Sequence, residues 1–148
     1  MQADVKAAII GKVNQEPFAR KLNLDLVHLD EGHSVVEMTF SSDVENIFGM
    51  AHGGAIFGLI DEAFETAANS HGTIAVALNM NVTYVASPVP GSRLRAEAKE
   101  VNRTFRTGMY DIRVTDADNM LIATCQALVY RKNKPLPFLS SASDEDCD

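Results

Sequence analysis

The chain has 148 residues, 46% of them hydrophobic and 22% charged, with a formal net charge of -7. One domain of this length buries roughly 68–70% of its unfolded surface, so it needs no disulfide or metal staple to fold. The acidic balance argues against a general nucleic-acid binder, which would carry a basic excess, and no apolar run reaches the ~18 residues of a membrane helix.

A few local cations could still bind a phosphate-bearing small molecule. The two cysteines, Cys125 and Cys147, lie in a strand-like run and an acidic tail, so they imply no disulfide framework. Asp4 and Lys6 interrupt any signal-peptide core, and a reducing cytoplasm is the expected location.

Residues Ala3 to Val13 read as a short amphipathic helix, with Val5, Ala8, Ile9 and Val13 on one side. Pro17 marks the break after it. Strands are predicted over residues 22–29 and 34–40, joined by a turn at Asp30, Glu31 and Gly32. Residues 41–52 have no period and read as a loop.

Residues 53–69 give the clearest helix: Ile56, Leu59, Ile60, Ala63, Phe64 and Ala67 follow the spacing of a buried stripe, and Gly72 stops it. From Thr73 the period becomes two. Ile74, Val76, Leu78, Met80, Val82 and Tyr84 alternate with small or polar residues, which predicts a long half-buried strand. Pro88, Pro90 and Gly91 close it.

Further strands are predicted over 93–101, 108–115 and 120–131, the last two joined as a hairpin at 116–119. Residues 140–148 are Ser- and Asp-rich and are expected to be disordered, leaving one domain over 1–139. The order is helix, two strands, long helix, four strands. It predicts an α+β fold in which an antiparallel sheet of about six strands wraps one long helix.

Asp61 sits at the edge of the buried stripe of that helix, beside Phe57 and Ala68. Glu62 and Glu65 fall further round, on the polar side. Asp61 is either a rim residue capped by solvent or a functional carboxylate with some desolvation. His52, Gly53 and Gly54 open the same helix. The first amides of a helix have no internal partner and carry partial positive charge, and glycine lets a ligand approach them. The pair is either a tight turn or an oxyanion site.

Gly53 and Asp61 are eight positions apart, ~12 Å along one helix. Groups acting on one carbonyl must each lie ~3 Å from it, so one helix cannot supply both. Two antiparallel copies crossing near Phe57 can, which predicts a homo-oligomer with its site shared between protomers.

The stretch Asn46-x-x-Gly49-x-x-His52-Gly53-Gly54-x-x-Phe57-x-x-x-Asp61-x-Ala63-Phe64, continued through Ala68-Asn69-Ser70 and Gly72, resembles the PaaI-like branch of the hotdog thioesterases. Pro88 to Gly91 and Thr107-Gly108-x-Tyr110 look like the same family. The resemblance spans roughly 46–131. It implies a sheet wrapped around the long helix, dimers or dimers of dimers, and hydrolysis of acyl-CoA thioesters without a cofactor. It also implies catalytic roles for Asp61 (general base or nucleophile), for the Gly53 amide (polarising the carbonyl) and for Asn46 (positioning the carbonyl or water). The strand serine that some relatives use to hold the water corresponds to Ala77 here.

Other candidates follow from chemistry alone. His52 can touch a ligand or bond locally, and Gly54 and Phe57 flank the expected substrate path. Arg103 and Arg106, with Arg131 and Lys132, are candidates for CoA phosphates or ordinary solvated strand ends. His28, His33 and His71 have no metal-ligand spacing. Cys125 reads as a buried small residue. Two further readings stay open: an acyl-CoA binder without catalysis, and a hotdog dehydratase, which would need a catalytic histidine in the long helix.

Overall fold

The computed structural model describes residues 1–139; the acidic tail at 140–148, with Cys147, lies outside the described residues. The elements are α1 (Ala3–Val13), α2 (Pro17–Lys21), β1 (Asp25–Asp30), β2 (His33–Thr39), α3 (Gly53–Asn69), β3 (Thr73–Tyr84), β4 (Arg93–Arg103), β5 (Thr107–Thr115) and β6 (Leu121–Pro135). All pairings are antiparallel, in the order β1-β2-β4-β5-β6-β3. Among the described residues no helix is long and apolar enough to cross a membrane.

The sheet wraps α3, which is the hotdog arrangement the resemblance implied. The main core joins Leu59, Ile60, Ala63, Phe64 and Ala67 of α3 to Val36, Met38, Leu94, Ile112, Val114 and Ile122 of the sheet. Ala96 and Ala98 on β4 are fully buried, and their small side chains let the helix lie close to the strands. One polar tie crosses this core: Ser34 Oγ and Thr66 Oγ1 are 2.6 Å apart. A second cluster packs α1, through Val5, Ile9 and Val13, against Leu29 and Leu136.

Two expectations change here. Pro17 does not merely end α1; it opens α2 as its first helical residue, where the missing N–H costs nothing. Residues 22–24 belong to the exit from α2 rather than to β1. The second change is in β3. Its large residues do not form one inward face, because a register shift between Ala77 and Asn79 breaks the alternation. Ala75 faces the core before the shift, and Met80 and Val82 pack against it afterwards. Val76 and Leu78 are left 39% and 58% exposed on a strand at the edge of the sheet.

Candidate active site

Helix α3 is covered by its own sheet on most sides, and α2 covers one more. A Cβ on Gly58 would lie 2.7 Å from Leu22 and 3.0 Å from Phe18, so glycine is what lets α2 dock there. The uncovered residues form one row at helical spacing: Gly54, Phe57, Asp61 and Glu65, with half-exposed Gly53 beside it. The candidate residues of the helix therefore share a single open stripe.

At its start, the loop before α3 is held by Asn46. Its Oδ1 accepts from the backbone N–H groups of Phe48 at 2.9 Å and Met50 at 3.0 Å. The turn needs a positive φ at Gly49, +72°. With its oxygen spent on the loop, the Asn46 side chain keeps its Nδ2 as the donor for a ligand. Asn46 lines a cavity of about 350 Å³ together with Gly53, Ile56 and Tyr84.

His52 caps α3: its Nδ1 accepts from Gly54 N at 2.8 Å. The local bond is thus the one His52 makes, and the Gly54 amide is occupied rather than open to a substrate. The Gly53 N–H has no acceptor among the described residues. Tyr84, at the end of β3, donates its hydroxyl to the Gly53 carbonyl at 3.0 Å and so steadies that peptide unit. Alternation marks Tyr84 as the end of a strand expected to line the pocket; its bond to Gly53 is a long-range contact that no local pattern marks.

Asp61 lines a separate cavity of about 260 Å³ with Phe64, Glu65, Ala68, Ala77 and Val129. Among the described residues it has no hydrogen bond and no ion pair. Burial therefore raises its pKa above the ordinary carboxylate range, which strengthens it as a base once ionised. Ala77 brings a methyl, not a hydroxyl, to this cavity. Cys125 offers no competing nucleophile, because burial pushes its thiol up to about 11.

The arginines are not gathered at either cavity. Arg103 lies against His71, 3.9 Å from Glu100 through its Nε, and lines a cavity of about 520 Å³ beside Arg131. Arg106 stacks on Phe105 and Tyr130 and bonds the Tyr130 hydroxyl at 3.0 Å. Tyr130 and Val129 are successive strand residues and face opposite sides of the sheet, so Arg106 sits across it from Asp61.

Glu62 departs from the expected polar face. It is 2% exposed, because α2 closes over that side of α3. Burial, and then the neighbouring Glu16 and Glu65, push its pKa up to about 8. A carboxyl with a raised folded-state pKa binds its proton more tightly folded than unfolded. Its stabilising contribution is complete below pH 4.5 and is lost as pH rises toward 8. Urea unfolding of chelator-treated protein is expected to show stability falling across that window, by up to about 1.4 kcal/mol per pH unit from Glu62. Glu62→Gln should flatten the slope.

The sequence profile of the thioesterase superfamily matches residues 48–123, and the chain belongs to that family. It is a PaaI-like hotdog thioester hydrolase. A putative esterase of Archaeoglobus fulgidus is 40% identical over 116 residues, covering 78% of this chain and 75% of the relative. The acyl-coenzyme A thioesterase PaaI of Escherichia coli is 33% identical over 76% of this chain and 81% of its own length. The solved PaaI structure from E. coli superposes with a TM-score of 0.85 at 28% identity, over 89% of this chain and 96% of that one. A Streptococcus mutans protein solved with acetyl-CoA bound superposes with a TM-score of 0.74 at 28% identity, over 77% and 92% of the two chains.

Proposed function

We propose that the protein hydrolyses acyl-CoA thioesters to free acid and CoA at a site built by two protomers. The observation that carries this reading is the open stripe of α3. Among the described residues, a Gly53 amide without an acceptor and an Asp61 carboxylate without a partner lie on it either side of Phe57, in two different cavities. An antiparallel second copy crossing at Phe57 would bring Gly53 of each protomer to Asp61 of the other. The long exposed edge of β3, with Val76 and Leu78 outward, is a surface that a protein normally covers, and a second β3 would cover it. The acyl-CoA preference rests on the E. coli relative's activity and on the acetyl-CoA held by the S. mutans neighbour.

In this site the thioester oxygen accepts from the Gly53 N–H and from Asn46 Nδ2. Asp61 takes a proton from water as it adds to the carbonyl carbon, and the C–S bond breaks to release CoA thiolate and the free acid; or Asp61 attacks that carbon itself, displacing CoA thiolate, and water then hydrolyses the resulting mixed anhydride to free acid and regenerated Asp61. Arg106, on the outer side of the sheet with Tyr130, and Arg103, beside His71 at the end of α3, are assigned to the CoA phosphates.

The shared site is tested by complementation. Gly53→Val puts a branched side chain against the Tyr84 ring, which stands 3.4 Å from a new Cβ, and so crowds the amide. Gly53→Val and Asp61→Asn chains are each expected to be inactive. Co-expressed in equal amounts, they should recover about a quarter of wild-type thiol release, since half the dimers are mixed and each has one intact site. No recovery in mixed dimers would overturn the shared site, and acyl-CoA binding without thiol release by wild type would point to a sensor.

A further inference from the structure

One carboxylate oxygen from each of Glu16, Glu62 and Glu65 lies within 4.8 Å of the other two. Glu16 precedes α2; Glu62 and Glu65 are three positions apart on α3. Even the less buried acids of the sheet that lie beside the core have counter-charges: Glu37 holds Arg93, Glu97 holds His33 and Lys99, and Glu100 holds His71. Among the described residues no Arg, Lys or His forms an ion pair with any of the three glutamates. Lys12 lines the adjoining cavity but places its ammonium over Phe138. Glu62 is 2% exposed, and its Oε1 is buried without any hydrogen-bond partner. A native protein rarely leaves such an acceptor empty.

We propose that Glu16, Glu62 and Glu65 bind a divalent cation of the hard, oxygen-seeking class, with Ca²⁺ the best fit. Ca²⁺ takes 6–8 oxygens at about 2.3–2.6 Å, so oxygens on opposite sides of one ion stand up to about 5 Å apart. The cluster fits that span. Mg²⁺ demands a tighter octahedron, and no Cys or His is present to favour zinc. Glu62 is the dry anchor beneath the ion. Glu65 is exposed and Glu16 half-exposed, so the ion enters from solvent and keeps water on that side. By joining Glu16 to α3 the ion ties α2 to the catalytic helix, one residue from Asp61. This inference does not depend on the catalytic assignment.

The test uses the full chain, stripped with chelator and held at pH 8, where the carboxyls are most ionised. Thermal unfolding and calorimetric titration are run with CaCl₂ and MgCl₂ on wild type, Glu62→Gln and Glu16→Gln. In wild type, Ca²⁺ should raise Tm by several degrees in a saturable way, Mg²⁺ less so. Glu62→Gln, nearly isosteric, should raise the metal-free Tm and abolish the Ca²⁺ shift. Glu16→Gln, at a half-exposed position that does not threaten folding, should also abolish it. Equal Ca²⁺ shifts in wild type and both variants would place the ion elsewhere, for instance on the acidic tail, and overturn the proposal. So would wild type unmoved by millimolar Ca²⁺ alongside a stabilised Glu62→Gln, which would show that the cluster holds protons instead.

Discussion

Asp61→Asn is expected to lower kcat/KM for acyl-CoA hydrolysis by about 10²–10⁴-fold, the usual contribution of a positioned general base, and by more if the carboxylate is the nucleophile. Asparagine has nearly the same shape, so substrate geometry is kept while the lone pair that accepts the proton is lost. Stability should move the other way. Asp61 is desolvated and, among the described residues, has no donor to compensate, so a neutral amide relieves a cost and the unfolding midpoint should hold or rise. Activity lost with stability kept separates a chemical role from a structural one. The wild-type pH profile adds a check. Only ionised Asp61 can act, and burial raises its pKa, so the acidic limb of kcat/KM should lie above the ordinary aspartate range. An Asp61→Asn enzyme within a few-fold of wild type, measured by thiol release, would remove Asp61 from the mechanism.

Phe64→Ala is expected to cost about 3–5 kcal/mol of unfolding free energy, the usual range for emptying a fully buried phenylalanine site. Phe64 is 1% exposed and meets Tyr110 edge-on, with ring centroids 5.5 Å apart at 65°. The Tyr110 hydroxyl is fixed in turn by Glu100 Oε2 at 2.7 Å, so the ring cannot easily collapse into the void. Phe64 also walls the Asp61 cavity, which the substitution enlarges. Urea unfolding measures the loss directly. A cost under about 1 kcal/mol would mean that the helix–sheet contact relaxes without penalty, against the close packing seen around α3.

Period and punctuation made much of this protein legible. The boundaries of α3 follow from the 3.6-residue stripe, the paired glycines that open it and Gly72 after it, because these are local backbone and burial preferences written within a few residues. The strands from Thr73 onward are marked by their alternation. Asp61 and Gly53 were readable as candidates on one face of α3 because the helix rise fixes their separation, and Asn46, drawn from the family motif, lies in the cavity of Gly53.

Contacts between distant segments were decided only by the folded chain. Helix α2 is too short to carry a period, and its opening proline carries the same signal as a helix terminator. Its docking on Gly58 buries Glu62, a residue whose position on the helical wheel points to solvent. The shift at Ala77 turns Val76 and Leu78 outward, although the sequence alternates without interruption. Arg103 and Arg106 carry the charge that phosphates need, yet strand register sets Arg106 across the sheet from Asp61, and Arg103 is held beside His71 instead of in the Asp61 cavity. Local spacing determines which elements form; which neighbour covers each face is a tertiary matter, since burial and counter-charge come from residues far away in the chain.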